Sequence, residues 1–390
     1  MIKKTKVLKG MKHLIAILTA ACLASGCASE TNEKTDVSSG LKDYVGDSFL
    51  IGVAVPGRFL DEGAELSMIG KHFNSITLEN EMKWMNIHPQ PDTYNFEAAD
   101  RLVQLKEKAD LFLVGHTLVW HSQLAPWVFK PIPTGDPAKD TLMADASTLR
   151  NYLQEHIETI AGRYKGKIDG WDVVNEALND DGTLRESGFL KIMGEEYIPF
   201  AFMVANETDP EAELYYNDYN LVLPEKRDGA IRLIRDLQDK GIKIDGVGIQ
   251  AHWGIDYPEL TDIEEAIIKF AETGVKVMFT ELDVSVLPSP WRMPTADVSV
   301  KFENNETMNP YTDGLPDSVQ NKLAERYADI FSLFKKHQDK IHRVTFWGLH
   351  DGVSWKNGFP IRGRTDYPLL FNRDMQPKKA YDSVIQILEE

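Results

Sequence analysis

"GWDVVNEAL", residues 170–178, decides how the chain is read. Trp171, Val173 and Val174 form a short apolar run that reads as a buried β-strand, yet the run closes on Asn175-Glu176. Burying an unpaired charge is costly. Glu176 therefore has either a salt-bridge partner or a strand-end position where a carboxylate acts on something. Similar runs recur on both sides: 50–55, 75–78, 111–117, 168–174, 213–217, 246–250, 275–280 and 344–347. Amphipathic stretches of helical spacing lie between them, at 97–109, 149–164, 225–240, 262–273 and 319–336, and a last one at 379–388 follows the eighth run. Eight strand–helix units in one chain predict an α/β fold, a single (β/α)8 barrel over 41–390. A doubly wound sheet would show a glycine-rich phosphate turn after its first strand, and "AVPGRFLDEG" lacks that spacing.

The first residues read differently. Lys3, Lys4, Lys6, Lys9 and Lys12 precede the apolar run Leu14–Leu18, and small residues follow to Cys27. This is the pattern of an export signal over 1–27. Its end, "LASGC", resembles a bacterial lipoprotein processing site with Cys27 as the lipidated residue; "LTAAC" at Cys22 is the weaker alternative, and a plain cleaved signal is the simpler one. Residues 28–40 are polar and aperiodic and read as a flexible tether. The expected location is outside the cytoplasm, anchored to a membrane at the periplasmic or cell-surface side, otherwise secreted. Both cysteines lie in the signal, so the domain is expected to have no disulfide. Taking away its five lysines, with no acid among residues 1–27, moves the formal charge from -17 to -22. Such an acidic surface argues against nucleic acid or anionic lipid as partner; a neutral polysaccharide tolerates it. No apolar stretch is long enough for a transmembrane helix, so contact with a membrane is expected only through the lipid, and the protein is expected to be a monomer.

Barrels of this kind place chemistry at the C-terminal ends of their strands. Those ends carry Glu79, Asn80, Lys83 and Trp84, then His116, Trp120, His121 and Gln123. Next come Asn175-Glu176, Tyr216 and Asn217, Gln250 and His252, Glu281 and Asp283, and finally Trp347, His350 and Trp355. Taken singly, each has an ordinary structural reading: a bonded histidine, a core indole, a helix cap. Taken together, amides, carboxylates and indoles at seven successive strand ends make a poor core and a good carbohydrate groove. His116 and His121 do not form a metal motif, no cofactor motif occurs, and no G-x-S-x-G is present. What remains is Glu176 and Glu281, on the fourth and seventh runs, which face each other across a barrel mouth. Two carboxyl groups about 5 Å apart are the apparatus of a retaining glycosidase.

"WDVVNEAL", "TELD", "ENEMKW" and "GHTLVWHSQ" together resemble glycoside hydrolase family 10, the endo-1,4-β-xylanases, over roughly Leu41–Leu388. The resemblance implies hydrolysis of internal β-1,4-xylosidic bonds of xylan and xylo-oligosaccharides by double displacement. It implies Glu176 as acid/base and Glu281 as nucleophile. Asn175 would hold the sugar 2-hydroxyl, and His252 with Asp283 would keep Glu281 ionised. Glu79, Asn80, Lys83, His116, Trp120 and Gln250 would bind sugars on the non-reducing side. Trp347 and Trp355 would roof the cleft, and Tyr216 would lie on the leaving-group side. Gln123 and Trp355 would crowd the position where glucose carries its hydroxymethyl group. Charge on Glu281 would raise the pKa of Glu176. Two features depart from the family pattern: the long, proline-rich 284–316 segment, and His350 where a threonine is expected. A β-1,4-glucanase on the same barrel and a non-catalytic surface glycan-binding lipoprotein are the alternatives.

Overall fold

Among the described residues, the apolar runs become nine parallel strands: β1 (Leu50–Val55), β2 (Ser75–Leu78), β3 (Phe112–Trp120), β4 (Gly170–Asn175), β5 (Glu213–Asp218), β6 (Gly246–Ile249), β7 (His252–Gly254), β8 (Lys276–Ser285) and β9 (Ile341–Trp347). This computed structural model describes residues 39–131, 142–290 and 302–390. The expected signal with Cys27, the tether up to residue 38, and parts of both long loops lie outside the described residues. The sheet runs β6-β5-β4-β3-β2-β1-β9-β8, and β6 also pairs with β8, which closes the ring. The short β7 continues β6 after a left-handed Ala251 (φ 65°) and pairs with the far end of β8. The (β/α)8 barrel expected from the sequence is therefore the fold.

All six residues of β4 are buried. Helices cover the outer face and side chains fill the interior, so barrel strands read as continuous apolar runs rather than alternating ones. The interior is tightly filled. A Cβ on Gly115 would sit 2.2 Å from the Trp171 indole, so only glycine lets that ring enter the barrel. Deeper in, Val114, Tyr215 and Met278 form a separate small core under the Arg343 guanidinium, which lies 5.3 Å from the Tyr215 ring.

The helices begin where the chain supplies caps. Asp145 accepts from the Thr148 N–H (2.7 Å) to open Ala146–Arg163, and Pro224 starts Pro224–Asp239. Asp317–Lys336 packs against the terminal helix Lys379–Glu389, and Lys335 Nζ donates to the Ile387 carbonyl at 2.8 Å. Ala64–His72 and Tyr197–Thr208 are helices that periodicity does not single out. In the second, Ile198, Phe200, Ala201, Phe202, Val204 and Ala205 are all buried, so no polar face marks its turn.

Three strand pairs change register near the mouth. β3 and β4 shift between His116 and Val119, β4 and β5 between Asp172 and Val174, and β8 and β9 between Phe279 and Leu282. Such bulges re-aim side chains next to functional sites. Glu281 falls inside the last of them and lies within β8 rather than at its end.

Candidate active site

The turn after β4 answers the question posed by Asn175-Glu176. Glu176 adopts φ 57°, a left-handed conformation that a glutamate rarely takes. Two bonds hold it there: its N–H donates to the Asn217 carbonyl (2.9 Å), and its own carbonyl accepts from Arg185 Nε (3.1 Å). Strain of this kind persists where the surroundings over-determine it, which is typical of functional sites. The carboxyl is buried in the cleft wall. Its Oε1 accepts from Gln250 Nε2 at 3.0 Å and, weakly, from Asn175 Nδ2 at 3.5 Å.

Opposite, Glu281 is bound through both oxygens. Oε1 accepts from Asn217 Nδ2 (2.8 Å), and Oε2 faces His252 Nε2 (3.0 Å). His252 Nδ1 lies 2.9 Å from Asp283 Oδ2, a pairing set by the β7–β8 register that puts His252 opposite Asp283. With a carboxylate at each nitrogen, the ring is held as an imidazolium. Asp283 also accepts from Trp355 Nε1 (2.7 Å), and Lys356 lies 3.5 Å from its other oxygen.

One amide relay joins the two glutamates. Asn217 Nδ2 donates to Asn175 Oδ1 (3.0 Å) as well as to Glu281, and Gln250 Nε2 reaches Asn175 Oδ1 (3.3 Å) as well as Glu176. With its oxygen occupied twice, Asn175 presents its NH2 to the cleft.

These surroundings separate the two acids. Burial pushes the Glu176 carboxyl up to about 7, the charge of Asp218 adds to this, and Gln250 and Trp120 pull the other way. Glu281 also raises it, but ranks behind Asp218. For Glu281 burial acts upward too, yet the His252 hydrogen bond and charge and the Asn217 donor bring it below the usual carboxylate range. For His252 burial favours the neutral ring, but Asp283 and Glu281 outweigh it and the imidazolium is favoured. One acid thus holds its proton near neutrality while the other has lost it, the division of labour that acid-assisted nucleophilic cleavage needs.

The remaining expected residues gather around this pair. Glu79, Asn80, Lys83, Gln123 and Gln250 line the same cleft, with His116, Trp120, Trp347 and Trp355 as its aromatic walls. Lys83 Nζ donates to Asn80 Oδ1 (3.0 Å) and lies 5.1 Å from the centre of the Trp120 ring. Trp355 packs against His252 and stacks on Phe359, with ring centres 4.6 Å apart in both contacts. Part of the long segment braces this wall: Asn304 donates to the Gly363 carbonyl (3.2 Å), and Asn309 accepts from the Thr365 N–H (2.9 Å).

Tyr216 is a correction. It is fully buried, and its hydroxyl donates to Asp218 instead of lining the leaving-group side. Strand alternation explains this. Tyr215 and Asn217 face the barrel interior, so Tyr216 and Asp218 point outward under the helices. His350 does not line the cleft either; its ring stacks near Phe59 (6.2 Å) and its Nδ1 accepts from the Gly352 N–H. Sequence reasoning missed Asp172, which is buried and holds His116 Nδ1 at 2.8 Å. It also gave no role to Asn217, the centre of the relay, or to Asp218.

Among the described residues, no cluster of three or more His, Cys, Asp or Glu is arranged to hold a metal ion. A larger groove, about 300 Å³, lies between Tyr197–Thr208 and Pro224–Asp239, but it carries none of the strand-end residues and no aromatic wall.

A barrel mouth in which indoles and amides flank two carboxyl groups, one pushed toward its acid form and the other toward its ionised form, defines a glycoside hydrolase. The sequence profile of glycosyl hydrolase family 10 matches residues 40–387, and the chain belongs to that family. It is 40% identical over 351 residues to Endo-1,4-beta-xylanase A of Xylanibacter ruminicola, covering 90% of this chain and 93% of that one. It is 39% identical to Beta-1,4-xylanase of Dictyoglomus thermophilum, covering 96% and 97% of the two chains. Its structure resembles that of a GH10 endoxylanase retrieved from sugarcane soil metagenome, with a TM-score of 0.85 and 46% identity over 89% of this chain and all of the other.

Proposed function

We propose that this protein is an endo-1,4-β-xylanase that cleaves internal bonds of xylan and xylo-oligosaccharides with retention at the anomeric carbon. The observation that carries the reading is the hydrogen-bonded relay that joins two buried carboxyl groups, Glu176 and Glu281, and whose surroundings push the first up and the second down. In the first step a Glu281 oxygen bonds to C1 and the C1–O bond to the leaving sugar breaks. The Glu176 proton passes to the departing oxygen, so no free alkoxide forms. In the second step Glu176, now ionised, takes a proton from water. The water oxygen bonds to C1, the ester to Glu281 breaks, and both groups return to their starting forms. Asn175 offers its NH2 to the 2-hydroxyl of the reacting sugar. Glu79, Asn80, Lys83 and Gln250 offer acceptors and donors to the sugars before the cut.

The names of the similar proteins support xylan over β-1,4-glucans as substrate. Gln123 and Trp355, both in the cleft wall, supply the bulk that would exclude a hydroxymethyl group. Soluble xylan should lose viscosity while reducing ends appear. Binding without any chain shortening would leave only the glycan-binding alternative, and preference for cello-oligosaccharides would favour the glucanase.

We also infer that the chain is exported and held by lipid at Cys27, and that it acts as a monomer, since one chain supplies every group of the relay. The basic, apolar and small-residue pattern of residues 1–27 supports export. Cys27→Ser should move the protein from the membrane fraction to the soluble one, because bacterial lipoproteins carry several acyl chains and one alone binds only marginally. Equal partitioning of the two forms would remove the anchor and leave secretion.

A further inference from the structure

Behind the acid/base lies a charged pair that the double displacement does not use. Asp218, the last residue of β5, and Lys226, in the first turn of Pro224–Asp239, are both fully buried, with Lys226 Nζ 2.9 Å from Asp218 Oδ1. The same ammonium lies 3.3 Å from Asp180 and 3.5 Å from the centre of the Tyr219 ring. Asp218 receives three further hydrogen bonds: from the Tyr216 hydroxyl (2.5 Å), the Tyr219 N–H (2.8 Å) and the Leu178 N–H (3.3 Å). Burial pushes the Asp218 carboxyl up, but the Lys226 charge and the Tyr216 hydroxyl pull it back, and every contact in place donates to it, as an ionised carboxylate requires. Its attachment to the acid/base is direct. Leu178 belongs to the turn that starts at Glu176, and Asn217, next to Asp218, accepts the Glu176 N–H. A buried ion pair contributes little to stability compared with apolar side chains of the same volume, so its presence here asks for another explanation.

We propose that the Asp218–Lys226 pair positions the acid/base electrostatically: Asp218 keeps the Glu176 carboxyl protonated until cleavage, and Lys226 limits that effect so the proton can still leave. The proposal rests on the xylanase reading above. The charges that face Glu176 come from several elements. Asp218 on β5 and Glu281 on β8 disfavour its ionisation. Lys83 after β2 and Arg185 in the loop after β4 act in the opposite sense, and Tyr219 is neutral near pH 7, its hydroxyl pushed well up by burial. Of the charged neighbours Asp218 ranks first. Unlike Glu281, it keeps its charge through both chemical steps.

The test is the pH dependence of kcat/KM for two variants. Asp218→Asn removes the anion. Asp218→Asn/Lys226→Gln removes both charges and leaves no unpaired buried ion, which protects the fold. Asp218→Asn should move the basic limb to lower pH by on the order of one unit, because a nearby like charge no longer opposes ionisation. The double variant should move it the same way but less, since no lone cation then adds its own pull. At pH 7 the ratio of kcat/KM on xylotetraose to that on dinitrophenyl xylobioside, whose leaving group needs no proton, should fall about fivefold in Asp218→Asn. An unmoved limb with parallel losses on both substrates would make the pair merely structural. Wild type inactive on both would refute the xylanase reading instead. In that case the infrared carboxyl band of Glu176, identified by difference against Glu176→Gln, gives the same shift or its absence without turnover.

Discussion

Asn217→Ala should raise the acidic limb of kcat/KM and lower its maximum. The Asn217 amide donates 2.8 Å to Glu281 Oε1, 3.0 Å to Asn175 Oδ1, and accepts 2.6 Å from Thr280 Oγ1. The first bond is between a neutral amide and a buried carboxylate, a type worth about 1.5–3 kcal/mol. Losing it destabilises the ionised nucleophile but not the protonated one. At 1.36 kcal/mol per pKa unit, the Glu281 pKa should rise by about one to two units. His252 remains on the other oxygen and limits the change. The second bond fixes which end of Asn175 faces the sugar; Gln250 still reaches Asn175 Oδ1 at 3.3 Å, so that amide loosens but does not turn over. A loss of about tenfold in the pH-independent kcat/KM follows from one poorly oriented hydrogen bond in the transition state. Initial rates on aryl xylobioside between pH 3 and 9 measure both effects, with the unfolding midpoint as a check on the cavity. A variant of normal fold whose acidic limb stays where the wild type has it would refute the view that Asn217 helps hold the charge on Glu281.

The wild-type profile itself should be bell-shaped. Activity needs Glu176 protonated and falls as pH rises through about 7; it needs Glu281 ionised and falls only below the usual carboxylate range. A flat profile between pH 6 and 9 would contradict the assignment of Glu176. Gln123→Gly with Trp355→Ala should narrow the preference for aryl xylobioside over aryl cellobioside, from on the order of a hundredfold, chiefly by losing xylobioside activity. Unpinning Asp283, which Trp355 Nε1 holds at 2.7 Å, slows both substrates alike and leaves the ratio unchanged, and Gln123 has φ 47°, which glycine adopts without strain. An unchanged ratio would remove steric exclusion as the source of selectivity.

The barrel was legible because its strands are buried on both faces, and an uninterrupted apolar run is a strong signal. Helix Tyr197–Thr208 was not, since burial all round erases the helical period. The two glutamates were legible because a charge closing an apolar strand demands a reason. Tyr216 was misplaced because its role came from the resemblance alone, without a count of strand parity. Counting in twos from Tyr215, which lies in the barrel interior with Val114 and Met278, puts Asn217 in the mouth and Tyr216 outside. The same count would have found Asn217. It would not have found how Glu176 keeps its proton. Glu281 was expected to be the charge responsible, but burial and Asp218 come first, and both depend on contacts between β4, β5 and the helix at Lys226 that no local pattern encodes. The partnership of His116 with Asp172, 56 residues apart, is hidden for the same reason.

The central claim is that Glu281 attacks and Glu176 supplies, then removes, the proton. Glu176→Ala tests both roles at once on an aryl xylobioside whose leaving group needs no proton. Turnover should stall at the glycosyl-enzyme, because no base remains to activate water. Added azide should restore it and release the β-xylobiosyl azide, while Glu281→Ala should show no retaining turnover, with or without azide. An α-azide from the Glu176 variant, or azide rescue with retention in the Glu281 variant, would contradict the account.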